Sequence, residues 1–401
     1  VNDHAGTRES TGSTRGTTRR TLDRRGFLTA AGLTAAGAAL AAVGGEAFAA
    51  ARPALRGDAA AGTIAAGGFA VPIDTVRHTR TWMAWPDSSA IWGRSLSGVQ
   101  ANIALIARTI AKYEPVIMCA NSASATKARS ACGPAVTVIT TIPVDDCWMR
   151  DSGPVFRTDG AGGLDAVGLN FNGWGNQQTH AKDALVAGRV AAYAGASFST
   201  AGFIGEGGAV ETDGAGTLMA TRSSIINPDR NPNLSQAQIE AAMCSAFGAS
   251  KVVWFKGVLG RDITDDHVDA TSRFLEEGKG LVQMPLASDT DAWSNDARQQ
   301  YQILSSTTNA QGHQVAVTKL QGPDYNKIRS TNPDFVGAYA NYYVCNGAVI
   351  APQFGDSSAD AAARTTLQRA FPGRVVEQLN IDSLGGGGGG IHCVTQQQPV
   401  P

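Results

Sequence analysis

No Cys-x-x-Cys pair occurs among the six cysteines of this 401-residue sequence, which argues against a zinc ribbon or a thioredoxin-type dithiol. Charge of one sign is equally scarce. The 33 basic and 34 acidic side chains leave a formal net charge of -1, with no basic field for nucleic acid and no acidic block of the kind found in solvated tails. No apolar run reaches the roughly 20 residues that a membrane-spanning helix needs. No interior linker divides the chain after residue 75, and no internal repeat is visible in the sequence. What remains is a globular balance, 43% hydrophobic and 17% charged, with enough apolar residues for a full core.

The N-terminal residues read as a targeting segment. Asp23-Arg24-Arg25-Gly26-Phe27-Leu28 is a twin-arginine pattern, a short Ala/Gly-rich apolar stretch runs from Thr29 to Val43, and Ala47-Phe48-Ala49 offers small residues for cleavage. Residues 1–49 are therefore expected to be a twin-arginine signal peptide. The expected consequence is a secreted protein with no stable membrane insertion after cleavage. Residues 50–75, rich in Ala and Gly, read as a flexible lead-in, and 76–401 as one folded domain. An exported protein can form disulfides, but no pairing of the first five cysteines can be read from spacing.

Downstream the pattern alternates. Strands are expected at Thr79–Trp85, Pro115–Ala120, Ala135–Ile142, Leu164–Phe171, Val252–Phe255 and Arg374–Leu379. Helices are expected at Ser97–Tyr113, Ala181–Tyr193 and Ser358–Phe371, and from the capping box Ser235-x-x-Gln238 to Phe247. Ala270–Leu275 with Leu281–Met284, and Tyr342–Val344 with Ala348–Ala351, read as hairpins, the second turning at Asn346-Gly347. Hairpins mixed with single helices predict an α/β fold of small β-rich units, not a doubly wound parallel sheet.

Four segments could carry chemistry. Gly385 to Gly390 runs into Ile391-His392-Cys393 with only eight residues to follow, too few for a linker to serve. It reads as a loop whose backbone must approach something closely, with Cys393 as a nucleophile. His267 stands among Asp262, Asp265, Asp266 and Asp269, whose charge would raise its proton affinity and suit it to acid/base work near neutral pH. The spacing there does not fit an EF-hand calcium loop. Asp145, Asp146, Trp148, Arg150 and Asp151 bring carboxylates to an aromatic ring, a combination that holds a flat cation; Cys147 among them reads as a structural thiol. Glu206 precedes Gly207 and Gly208 and could orient a histidine. Asn341 lies in the long interval between His267 and Cys393, where a further loop is expected. Segments this far apart suit modules that each send one loop to a common centre.

Together these residues resemble the agmatine deiminase and bacterial-type (Porphyromonas-type) peptidylarginine deiminase family. The motifs run from Thr81-Trp82-Met83-Ala84-Trp85-Pro86 through Asp146-x-Trp148-Met149-Arg150-Asp151, Glu206-Gly207-Gly208 and His267-Val268-Asp269 to Ile391-His392-Cys393. The resemblance implies the pentein fold, a fivefold pseudosymmetric α/β propeller of ββαβ-type modules. It implies Cys393 as nucleophile, His267 as proton donor and then base, Glu206 orienting His267, and Asp151 and Asp269 holding the guanidinium. Trp148, Arg150, Asp145 and Asn341 are taken as substrate-binding. No metal and no organic cofactor is implied. The chain departs from the family at Ile263, where agmatine-specific members carry an acid, and at Gly390, where Asn is frequent. The expected reaction is therefore conversion of arginine in peptides or proteins to citrulline plus ammonia. Agmatine is the alternative substrate, and a pentein amidinotransferase or a non-catalytic secreted binding module are further readings.

Overall fold

The computed structural model describes residues 68–401; the twin-arginine segment and most of the lead-in lie outside the described residues. Strands β1 (His78–Ala84), β2 (Val116–Cys119) and β3 (Val136–Ile139) lie parallel, joined by helices α1 (Leu96–Ile110) and α2 (Ala125–Cys132). Four further sheets then repeat one plan: an antiparallel hairpin, a crossover helix, and a third strand parallel to the second. The first is β4 (Val155–Thr158), β5 (Leu164–Gly168), α3 (Val186–Ala194) and β6 (Ser197–Thr200). Next come β7 (Val210–Thr212), β8 (Thr217–Thr221), α4 (Gln236–Phe247) and β9 (Lys251–Phe255). They are followed by β10 (Ser272–Glu276), β11 (Lys279–Met284), α5 (Ala292–Ser306) and β12 (Ala316–Gln321). The last is β13 (Tyr343–Cys345), β14 (Ala348–Gln353), α6 (Ser357–Ala370) and β15 (Val375–Asn380).

The C-terminal strand β16 (Gln396–Pro399) then returns to the beginning. It pairs antiparallel with β1, from Trp82 opposite Gln396 to His78 opposite Pro399. The first sheet thereby acquires the same hairpin-helix-strand order as the others, and the fivefold α/β propeller expected of a pentein is complete.

The cores sit between neighbouring modules. Trp82 and Ile117 pack with Phe156 and Val190; Val155 and Val167 with Leu218 and Ile239; Met219 and Phe255 with Phe274 and Leu304. The largest core joins Leu281 and Leu320 to Val349 and Leu367 and to Val99 and Met118 of the first module. Each module alone is too small to bury its apolar faces, so the ring is the folding unit and a chain this long stays one domain.

Local chemistry explains the elements. The α1 stripe Val99, Ile103, Ile106, Ala107 and Ile110 is fully buried. Both capping-box bonds of Ser235 and Gln238 form at the start of α4. Gly347 takes φ 84 in the β13–β14 turn. One boundary differs from expectation. Composition assigns residues 50–75 to a flexible lead-in, yet the packed chain begins earlier than 76. Ala70 bridges to Thr158, Val71 is buried, its N–H donates to the Phe247 carbonyl, and Asp74 is salt-bridged to Arg273. Composition does not register these tertiary bonds. All six cysteines are free thiols.

Candidate active site

Each module presents one loop to the same place, just ahead of its first strand. Asp151 precedes β4, Glu206 precedes β7, His267 and Asp269 precede β10, Asn341 precedes β13, and Cys393 precedes β16. The long interval after His267 is thereby accounted for: Asn341 comes 72 residues after Asp269 and 52 before Cys393.

Gly208 marks the meeting point. A Cβ there would lie 2.8 Å from His267 Nδ1, 2.9 Å from Asp151 Oδ1 and 3.1 Å from Asp269 Oδ2, so only glycine lets these three groups converge. Its backbone N–H donates to Asp151 Oδ1 at 3.0 Å, and the Trp174 indole N–H donates to Asp151 Oδ2 at 3.0 Å. His267 Nε2 is 3.3 Å from Glu206 Oε2, and its Nδ1 is 3.8 Å from Asp151 Oδ1. Cys393 Sγ is 3.7 Å from Asp269 Oδ2 and 3.2 Å from Asn341 Nδ2. The Cys393 N–H donates to Asn341 Oδ1 at 3.3 Å.

The glycine run is a close-packed loop, as its position before the nucleophile predicts. Gly387 lies against Trp92, Gly389 against Trp148, and a Cβ on Gly390 would stand 2.5 Å from Asn341 Oδ1. The last contact explains why a side chain is unwelcome at position 390 in this chain.

Burial and charge set the proton states. Burial opposes a charged His267, but Asp151, Glu206 and Asp269 outweigh it and raise the imidazole to about 9. Burial lifts Asp151 to about 6; His267 opposes this, while Asp269 and Glu206 add to it. Glu206 is held below the usual carboxylate range despite its burial, by Arg230 and His267; Arg230 Nε lies 2.7 Å from Glu206 Oε1. Burial, with Asp269 and Asp151 beside it, pushes the Cys393 thiol well above its ordinary value. At neutral pH the site therefore rests with a protonated imidazole and a neutral thiol, facing carboxylates that call for a cation.

Of these groups Asp151 and Cys393 open into a cavity of about 290 Å³. Trp92, Trp148 and Trp174 line it together with Asp146, Asp151, Asp262, Ile263, Asp334 and Cys393. Trp148 is thus where the sequence puts it. Two expected substrate contacts are elsewhere. Arg150 is buried behind the nucleophile loop, its N–H donating to the Cys393 carbonyl at 3.1 Å and its Nε to the His392 carbonyl at 3.4 Å. Asp145 accepts from the Lys182 and Asp183 backbone N–H groups at 2.6 and 3.3 Å. Neither lines the cavity. Asn341 holds the thiol and the backbone of Cys393 instead of lining the cavity wall.

Trp92 and Trp174 were not anticipated. Trp92 follows β1, and its indole N–H donates to Asp146 Oδ1 at 2.7 Å. Trp174 carries φ 54 between Gly173 and Gly175, a rare conformation for a bulky residue; Gly-Trp-Gly flanked by asparagines was its available signal. The acidic turn at Asp265 is braced, with Oδ2 accepting from Asn227 at 2.8 Å and Arg230 at 3.0 Å.

A thiol, an imidazolium and two carboxylates converging at the centre of a five-module ring fit a guanidine deiminase of the pentein fold, a hydrolase acting on C–N bonds of linear amidines. More particularly, the family model of Porphyromonas-type peptidyl-arginine deiminases matches residues 70–399, and the chain belongs to that family. It is 37% identical over 341 residues to a Streptomyces coelicolor protein provisionally named agmatine deiminase, covering 82% of this chain and 99% of that protein. It is 32% identical over 366 residues to the agmatine deiminase of Pseudomonas aeruginosa, covering 84% and 97%. Among solved structures, the agmatine deiminase of Enterococcus faecalis superposes with a TM-score of 0.78 at 27% identity, over 83% of this chain and 96% of that one.

Proposed function

We propose that this chain hydrolyses agmatine to N-carbamoylputrescine and ammonia. The lining of the cavity carries this reading: Asp146, Asp151, Asp262 and Asp334 face it, and no Lys, Arg or His does among the described residues. Agmatine is a cation at both ends and carries no carboxylate, so such a lining attracts the whole molecule. Free arginine would bring its carboxylate into an acidic cavity with no counter-charge. The similarity to agmatine deiminases points the same way. Ile263 favours arginine in peptides as a second reading, because it stands where an acid would meet the distal amine. In the agmatine reading Ile263 packs on the butyl chain, and the amine reaches Asp262 or Asp334 beside it.

The chemistry follows from the resting charges. The guanidinium docks between Asp151 and Asp269, whose Oδ1 has no hydrogen-bond partner among the described residues and is open to an N–H donor. With the carboxylate charge balanced by the cation, Cys393 loses its proton to solvent and Sγ adds to the guanidinium carbon. His267 gives its proton to a terminal nitrogen, the C–N bond breaks, ammonia leaves, and an S-alkylthiouronium remains. The now neutral His267 takes a proton from water as its oxygen adds to the same carbon. The C–S bond then breaks, which frees Sγ and leaves the ureido product. Holding the planar cation against sulfur supplies the proximity that a resonance-stabilised electrophile requires.

Turnover of agmatine, free arginine and a peptide with an internal arginine, measured as ureido product, tests the assignment. We expect kcat/KM for agmatine to exceed that for either of the others by at least about tenfold, the effect of one mismatched charge of about 1.4 kcal/mol. Faster turnover of the peptide would overturn the agmatine reading in favour of peptidyl-arginine.

A further inference from the structure

Behind the nucleophile lies a second group of buried ionisable side chains that the steps above do not use. His392 and Arg273 are each 1% exposed, and neither lines the cavity. His392 Nδ1 lies 2.7 Å from Asp269 Oδ2. Its Nε2 lies 3.3 Å from Asp74 Oδ2 and 4.0 Å from Glu211 Oε1. Arg273 joins those two acids from the far side, with Nη2 at 2.7 Å from Asp74 Oδ2 and Nε at 2.6 Å from Glu211 Oε1. Gln397 Nε2 donates to Asp74 Oδ1 at 2.5 Å. Asp74, Glu211 and His392 are near enough to one another to hold a metal ion. The Arg273 guanidinium already supplies positive charge to both carboxylates, so the geometry favours an organic network over a metal centre.

We propose that His392 is a positioning residue for the deimination: its Nδ1–H fixes which oxygen of Asp269 meets the substrate. A carboxylate has two equivalent oxygens and turns readily about its last bond. Asp269 Oδ2 is taken by His392, which leaves Oδ1 buried, without a partner among the described residues, and available to a guanidinium N–H. Among the described residues the other contact on Oδ2 is the long one to Cys393 Sγ at 3.7 Å, so without the His392 donor the carboxylate would be held by the thiol alone and free to swing. Asp74 completes the device from the N-terminal strap. It engages the opposite ring nitrogen and is itself held by Arg273 and Gln397, so the ring cannot rotate away. The groups facing His392 are Asp269, Asp74, Glu211, Arg150 and Arg273. The Nδ1–H donor exists in the charged ring and in one of the two neutral tautomers, and the 2.7 Å approach of Asp269 Oδ2, closer than Asp74 Oδ2 at 3.3 Å on Nε2, favours that tautomer. Conserving the bond orders this acid as outer-shell partners order metal ligands, where loss commonly costs about 10- to 100-fold.

The inference rests on the deiminase reading but not on the choice of agmatine, so the full chain is assayed with whichever guanidino substrate the wild type turns over fastest. His392→Asn places its side-chain amide where Nδ1 was; His392→Gln places it where Nε2 was. The expected result is that His392→Asn stays within about fivefold of wild type. His392→Gln should lose about a hundredfold in kcat/KM with KM raised as well as kcat lowered. Equal losses in the two variants confined to kcat, with KM unchanged, would mean only that less protein is correctly folded, and would overturn the proposal. So would wild-type kinetics in His392→Gln. Should neither variant fold, Asp74→Ala reads the same device from its other end. It is expected to raise KM several-fold, and an unchanged KM there would overturn the proposal equally.

Discussion

Glu206 exerts its effect through one imidazole. Together with Asp151 and Asp269 it raises His267 to about 9, against burial, so the proton needed by departing ammonia is in place at neutral pH. Glu206→Gln removes one of those charges and lowers the His267 pKa. The imidazolium is then lost at a lower pH, and the alkaline limb of kcat/KM should move down from about 9 with a loss of about 100-fold in kcat/KM at neutral pH. A pH profile with an unmoved alkaline limb would show that Glu206 does not act on His267. The principal side chains of this site were legible in the sequence because their neighbours are informative. Glycines before Cys393, glycines after Glu206 and acids around His267 all signal close approach or a shifted proton affinity. Arg150 and Asp145 lie outside the cavity, which their nearness in sequence to Trp148 and Asp151 does not reveal. Trp92 and the His392 network were not foreseen, since their roles exist only through partners from distant segments.

Among the elements, β16 has the most to do for its length. Its four residues close the first sheet, with Trp82 Nε1 donating to Gln398 Oε1 at 3.1 Å, and they anchor the loop that ends in Cys393. Ending the chain after Val394 should lower the melting temperature by about 5–10 °C, if the protein folds at all, because several kcal/mol of pairing and burial are lost. A melting temperature unchanged by that truncation would contradict the closing role. Helices with clean apolar periodicity and strands ending in turn residues were readable: α1, α4, α6 and both downstream hairpins fall where the sequence predicts them. The strands β4, β6 to β8, β12 and β16 were not, and neither were α2 and α5. These strands are three to six residues long, and β6 is exposed throughout while β8 and β16 are buried throughout, so no alternation develops. The polar run Gln396-Gln397-Gln398 is buried by pairing with β1, which its composition does not suggest.

The ring as a whole gives those short elements their meaning. Five similar sheets bury their apolar faces on one another, and each brings one loop to the centre. A site of five loops can thus be assembled from residues far apart in the chain. The modular reading was available from the alternation of hairpins and helices. The closure of the first module by the C-terminus was not, because strand pairing over more than 300 residues leaves no local trace. That closure is what sets Cys393 beside Asp269, while Cys147 is fully buried in the core. The decisive observation is the mass of the full-length protein after acid quenching during turnover of agmatine. Wild-type protein and Cys147→Ala should both carry an adduct equal to agmatine less one ammonia, mapped by peptide analysis to Cys393. Cys393→Ala should carry none and form no ureido product. An adduct on any other residue, or product formation by Cys393→Ala, would contradict the assignment of Cys393 as the nucleophile.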